Sequence, residues 1–299
     1  MSSPKIMSYL VGLLLGFVLL VIQQMPSDQA KMVVCDVGQG DAILIVKGRN
    51  QVLIDGGPNS EKILSCLEQH MPFYDRKIEL IVLTNTDFDH MNGLSAVVDR
   101  YEVIQFVTAD GVHESDALYK LIDKLNINDV GVEEVERGYM LRIGKEHGPN
   151  TLEFKVLWPP DTIGEYVAMF SDEVTSENRK QILGASAKRG DLNERSVVLL
   201  LLEDNKYTLL SGDTGFQTEK SLLQLGNIPP INILKVGHHG SKYASSVDFL
   251  QTIHPEMAVI SVGAKNTYGH PTQETLDRLR QVGAEVKRTD IDGTVVLTL

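Results

Sequence analysis

From residue 31 onward, short apolar runs alternate with segments whose apolar residues recur every three or four positions, the pattern of strands interleaved with covering helices. MVVCDV (32–37) and AILIVKG (42–48) predict two strands joined by GQGD, and QVLIDGG (51–57) a third that ends in a carboxylate and glycines. Ser60 to His70 predicts a helix capped by Asn59 or Ser60, with Ile63, Leu64 and Leu67 on one face. IELIVLT (78–84) has no alternation and predicts a strand buried on both faces, running into the polar loop NTDFDHMNG. A helical pattern over 94–100 and a strand over 103–109 follow.

The same succession returns later in the chain. SVVLLLLED (196–204), a turn, KYTLLSGD (206–213), a helix over 216–225 and INILKVGHHGS (231–241) repeat the order of strand, hairpin, strand with carboxylate and glycine, helix, buried strand and polar loop. Two related halves facing each other predict an α/β chain built as a four-layer αββα sandwich. Between them, residues 111–195 are less regular and contain a variable insertion: 116–125 reads as helix, VEEVERGYMLRIG and TLEFKVLWPP as added strands, and the polar stretch from 161 to 195 as a surface insertion or a lid beside a site.

The first thirty residues read as a separate unit, with a single domain over 31–299. Residues 9–22 are a fourteen-residue apolar run behind Lys5. As a helix it covers roughly 21 Å, short of a ~30 Å hydrocarbon core, which fits a signal-peptide core or a short signal anchor. With either, Lys5 stays inside and the remaining chain is exported, as a single-pass protein of the cell membrane or a secreted one. The charge, 28 basic against 40 acidic residues for a net of −12, disfavours a protein that coats nucleic acid by charge alone. The two cysteines, Cys35 in an apolar run and Cys66 in a helical pattern, read as small core residues and leave the redox compartment open.

Candidate chemistry gathers where buried strands stop. Asp87, Asp89 and His90 follow one strand, Asp213 closes another, His238 and His239 follow a third, and His270 stands in NTYGHP. Strand ends are where side chains from separate segments converge in α/β sheets. Mixed carboxylate and imidazole ligands suit a borderline divalent cation such as Zn²⁺ or Mn²⁺.

NTDFDHMNGL is similar to the His-x-His-x-Asp-His signature of the metallo-β-lactamase superfamily. CDVGQGDAILI, LIDGG, LLSGDT, LKVGHHGS, ISVGAKNTYGHP and KRTDIDGTVVLT resemble, in that order, the hydrolase domain of ComEC-type competence proteins. The resemblance implies that Asp89 and His90 hold a metal and that Asp213 bridges two. Asp87 falls on a histidine position, as ligand or proton carrier, and either His238 or His239 is a ligand. Asn85 replaces the first histidine and offers only a neutral oxygen, so the resemblance implies one tight metal site and one weakened site. A further family histidine has no counterpart: Trp158 stands near its place, and His113 and His147 lie in polar loops.

Around the substrate the resemblance implies Asn193 and Ser196, which read equally as a cap before a strand, Ser241 of the HHGS loop, and Asn266 and His270 as contacts to a phosphoryl oxygen or members of the metal shell. Asp55 reads as a structural residue that orients the ligand loop, and Asp36 and Asp41 as stabilisers of the GQGD turn. Lys235, Lys242, Lys265, Lys287 and Arg288 form either a locally basic rim or a solvated scatter. The implied activity is metal-dependent phosphodiester hydrolysis, of DNA outside the cytoplasmic membrane during uptake, beside a separately encoded membrane channel. The alternatives are a degenerate relative that binds without turnover, and a hydrolase of non-nucleic esters or lactams.

Overall fold

Strand alternation sets the layering. Met32, Val34, Ile43 and Ile45 pack in one apolar cluster with Leu199, Leu201, Phe154 and Val156, whereas their neighbours Val33, Cys35 and Leu44 pack in another with Ile63, Leu67, Val97 and Leu121. The strands at 31–34 and 43–47 thus bury one face against a second sheet and the other against helices. The computed structural model describes residues 4–23, 26–109, 115–145, 148–160, 193–226 and 228–299.

The first sheet contains β1 (Lys31–Val34), β2 (Ile43–Lys47), β3 (Asn50–Ile54), β4 (Lys77–Leu83), β5 (Glu102–Ala109) and β6 (Gly131–Val135). The second contains β7 (Met140–Ile143), β8 (Leu152–Trp158), β9 (Val198–Glu203), β10 (Lys206–Leu210), β11 (Ile233–Lys235), β12 (Met257–Ile260) and β13 (Glu285–Arg288). The last strand, β14 (Val295–Thr298), returns to β1, giving the orders β14-β1-β2-β3-β4-β5-β6 and β13-β12-β11-β10-β9-β8-β7. The internal repeat is complete in the pairing. β1/β2 and β2/β3 are antiparallel and the pairs from β3 to β6 parallel; β8/β9 and β9/β10 are antiparallel and the pairs from β10 to β13 parallel.

Helices α2 (Ser60–His70), α4 (Leu94–Arg100) and α5 (Asp116–Ile127) cover the first sheet, with the short α3 (Phe88–Met91) in the loop after β4. Helices α6 (Phe216–Leu225), α7 (Val247–Ile253) and α8 (Gln273–Gln281) cover the second. This is the four-layer αββα sandwich expected. Asn59 caps α2, its side-chain oxygen accepting the Lys62 N–H at 3.0 Å. The helix expected over 116–125 forms as α5 and the strands expected between 132 and 160 join both sheets, whereas residues 161–192 of the polar stretch lie outside the described residues.

Two features differ from expectation. Cys35 and Cys66 are buried, as core residues should be, but they are joined in a disulfide with Cα atoms 6.0 Å apart, tying the end of β1 to α2. At the amino terminus α1 spans Pro4–Gln23, yet among the described residues no helix is long and apolar enough to cross a membrane.

A four-donor cluster as a candidate metal centre

The loops after β3, β4, β10 and β11 meet at one edge of the sandwich. After β4 the chain makes the short α3, which carries Asp89 and His90. This loop is clamped from two sides: Asp41 N–H donates to the Asp89 carbonyl (3.1 Å), and Gly56 N–H to the His90 carbonyl (2.7 Å). The clamp needs glycine at Gly40, where a Cβ would lie 2.1 Å from the Asp89 carbonyl oxygen. It needs glycine again at Gly93, where a Cβ would lie 2.1 Å from the Gly56 carbonyl oxygen.

Asp55 sits at the end of β3 in a left-handed conformation, φ 59°. Its carboxylate accepts the Thr84 N–H (2.7 Å) and hydroxyl (2.6 Å) and holds His90 Nδ1 at 2.8 Å. Its structural reading stands, and His90 Nε2 is left facing Asp213 at 3.2 Å. In the HHGS loop the same left-handed backbone separates the two histidines. His238 and His239 are both left-handed, φ 46° and 53°, and their side chains diverge. His239 is buried, with Nε2 3.3 Å from Asp89 and 3.5 Å from Asp213, while His238 is a third exposed and 4.0 Å from Asp213.

Asp89, His90, Asp213 and His239 thus present one donor atom each, all within 4.8 Å of one another. The cluster's chemistry fits a divalent cation. His90 Nε2, Asp213 Oδ1 and His239 Nε2 are buried without a hydrogen-bond partner, a costly arrangement for polar atoms unless a cation satisfies them. The charges are mutually dependent. Burial opposes ionisation of Asp213, but His239 and His90 outweigh it and hold its carboxyl well below the usual range. Burial likewise opposes charge on His239, and Asp213 and Asp41 outweigh it, pushing its pKa to about 10. His90 is raised well above the ordinary value against its burial, by Asp213 and Asp55.

A cleft of about 440 Å³ opens onto this cluster and is lined by Asp87, Asp89, Asn193, Asp213, His238, His239 and His270. Asp87 borders it without belonging to the four-donor cluster. Asn85 is spent on its own loop and on the segment before β9: Oδ1 accepts the Asp87 N–H (3.0 Å) and Nδ2 donates to Asn193 Oδ1 (2.8 Å). His270 faces the cleft half-buried, its pKa lowered to about 4 by burial and by His238 and His239, so it is neutral at pH 7. Asn266 braces that loop, donating to the Gly263 and His270 carbonyls (2.9 and 2.8 Å) and accepting the His270 N–H (3.1 Å). Ser196 and Ser241, read as substrate contacts, are instead buried and do not line the cleft. Ser196 packs behind Gly212, and the Ser241 hydroxyl accepts the Tyr243 N–H (3.4 Å). Trp158 is fully buried, its indole N–H donating to the Glu194 carbonyl, while His113 and His147 lie outside the described residues.

Beneath the cluster lies a pair that the sequence reading misplaced. Asp36 stabilises its turn, accepting the Gly38 N–H, but Asp41 is 2% exposed and paired with Lys235, itself 1% exposed, so Lys235 belongs to no surface rim. Asp41 also lies 3.4 Å from His239 Nδ1, which is 2.9 Å from the Ser261 carbonyl. The available signal was a lysine inside the apolar run INILKVG. Lys287 pairs with Glu285 (2.8 Å) and Arg288 with Asp290, which leaves Lys242 and Lys265 exposed.

The metallo-β-lactamase superfamily's sequence profile matches residues 35–160. Over 296 residues the chain is 27% identical to ComE operon protein 3 of Bacillus subtilis (strain 168), covering 93% of this chain and 34% of that protein. It is 27% identical to Competence protein ComA of Neisseria gonorrhoeae, covering 95% and 34%. The chain therefore spans about a third of the length of these relatives. The metallo-β-lactamase fold protein YhfI of Bacillus subtilis superposes over 91% of this chain and all of its own, with a TM-score of 0.55 at 11% identity. Zn²⁺-bound PqqB of Methylobacterium extorquens superposes over 90% and 100%, with a TM-score of 0.55 at 12% identity. The chain therefore has the metallo-β-lactamase fold, matches that superfamily over residues 35–160, and is similar along more than nine-tenths of its length to competence proteins.

Proposed function

We propose that the protein is a metal-dependent phosphodiesterase that cleaves DNA outside the cytoplasmic membrane during uptake, alongside a membrane channel. The observation that carries the metal is the convergence with Asp89 of buried atoms on His90, Asp213 and His239 that face one another and make no hydrogen bond. Zn²⁺ or Mn²⁺ fits this two-imidazole, two-carboxylate set, in one tight site, since the Asn85 oxygen is already engaged. A divalent ion there would supply Lewis acidity to a phosphoryl oxygen and acidify a water molecule.

The chain's own residues supply the rest. Asp55 fixes the His90 ring through Nδ1, and the Ser261 carbonyl and Asp41 do the same for His239. Neutral His270 can donate to a phosphoryl or leaving oxygen, and Asp87, at the cleft wall, can take up a proton. Export is supported by the Cys35–Cys66 disulfide, a bond that persists in oxidising compartments, and by the apolar residues 9–22. DNA and the channel are supported by similarity to the competence proteins.

The test is metal analysis of the purified protein together with divalent-dependent cleavage of DNA and of a simple phosphodiester. Activity stimulated by Mn²⁺ or Zn²⁺ and abolished in Asp213→Ala and His90→Ala is expected. Asn85 and the indole near the missing histidine's place favour a second reading, a binding protein without turnover. That reading replaces the first if no cleavage occurs and the two substitutions change only thermal stability.

A further inference from the structure

Two aromatic side chains stand at the cleft, and neither the core nor the four-donor cluster uses them. Phe88, the first residue of α3, is 63% exposed, and Tyr268, in the loop after β12, is 71% exposed. Both line the cleft. They come from opposite halves of the sandwich: Phe88 lies between Asp87 and the donor Asp89, and Tyr268 lies two residues before His270. The Tyr268 ring is stacked on the His270 imidazole, 5.9 Å between centroids and 25° between planes, which fixes the direction its free face presents. Burial of a side chain of phenylalanine's size is worth about 1.5–3 kcal/mol, so a ligand that covered either ring in the cleft would gain on that order.

The rest of the lining says which ligand. Gln39, Asn193, three aspartates and three histidines surround the rings, and among the described residues that line the cleft none is lysine or arginine. The chain as a whole carries −12. A polyanion held here gains little from neutralisation of its phosphates by the protein, which is the usual source of nucleic-acid affinity. What remains for it to offer are flat base faces, which stack on aromatic rings with little regard to sequence. A duplex hides those faces in its own stack, whereas a single strand presents them.

We propose that Phe88 and Tyr268 form a nucleobase clamp that stacks the bases on either side of the reacting phosphate, making single-stranded nucleic acid the substrate class of this cleft. The proposal rests on the phosphodiesterase reading above. It places the phosphate between the rings, over Asp89, His90, Asp213 and His239, and lets stacking perform the holding that basic residues perform elsewhere.

The test is binding of the full chain, loaded with Mn²⁺, to fluorescent short oligothymidylate, to an abasic oligomer of equal length and charge, and to a duplex. Phosphorothioate linkages in each slow cleavage. Oligothymidylate is expected to bind about fivefold or more tighter than the abasic oligomer for each stacked base, and tighter than the duplex. That preference should fall toward one in Phe88→Ala/Tyr268→Ala and persist in Phe88→Trp and Tyr268→Phe. An oligouridylate arm separates RNA from DNA as the source of the bases. Equal affinity for abasic and base-bearing strands, or a preference unchanged in the double alanine variant, overturns the clamp. Metal-dependent cleavage without base preference overturns the clamp alone, whereas absence of both binding and cleavage overturns the phosphodiesterase reading with it.

Discussion

Replacing Lys235 by methionine should be among the most damaging single changes outside the cluster itself. The ammonium is 1% exposed, pairs with an Asp41 carboxylate that is 2% exposed, and also donates to the Gly212 carbonyl at 3.1 Å. Methionine keeps the length of the side chain but leaves the Asp41 charge without its main partner. Breaking a buried pair from one side costs about 3–5 kcal/mol. At about 2–4 °C per kcal/mol for a domain of this size, the melting temperature should fall by roughly 6–20 °C. Lys235→Met/Asp41→Asn removes the stranded charge as well and should recover more than half of the loss. Burial pushes the Asp41 carboxyl up, and Lys235, with His239 and His90, outweighs it and holds the pKa at about 2. Because that folded value lies below the ordinary one near 3.9, the stabilisation is present above about pH 4 and is lost as pH falls toward 2. In Lys235→Met burial dominates, the carboxyl rises, and acidification to pH 5 should narrow the gap to wild type. Calorimetry at pH 7 and at pH 5, in chelator so that metal binding plays no part, reads all three effects. A single variant within about 1 kcal/mol of wild type, or a double variant no better than the single, would refute the account.

The strands and helices were legible because each carries its own period. The repeat was legible because IELIVLT and INILKVG are both doubly apolar and both run into a polar loop. Asp89, His90 and Asp213 could be placed from the sequence because strand ends fix their neighbourhood. The choice between His238 and His239 could not, since it turns on two consecutive left-handed residues, a backbone state that adjacent histidines do not announce. Ser196 and Ser241 were misplaced for a related reason: a segment's presence at the site does not say which side of its backbone faces the cleft. The disulfide was hidden because the same burial that makes cysteine a good core residue brought Cys35 and Cys66 together across 31 positions.

Further outcomes follow from the same geometry. Cys66→Ser, or reduction, should cost about 3–4 kcal/mol, as expected for releasing a loop of that length, seen as a lower denaturation midpoint; an unchanged midpoint under oxidising conditions would mean the bond is not formed. Asp55→Asn should weaken metal affinity by about 10–100-fold while the fold persists, because His90 loses the carboxylate that fixes its ring; titration calorimetry measures it. The Asn85 position carries the last prediction. Its oxygen accepts the Asp87 N–H and its amide holds Asn193, so it contributes no donor to the cluster that Asp89, His90, Asp213 and His239 form. An imidazole at that position, beside Asp87 at the cleft wall, would restore a nitrogen donor where the superfamily signature has one. Asn85→His should therefore raise the metal content from one ion toward two per chain and speed phosphodiester cleavage, since a second ion can stabilise the leaving as well as the attacking oxygen. Elemental analysis after exhaustive dialysis decides it: two tightly held ions already in the wild type, or no gain in the variant, would show that Asn85 does not limit the site.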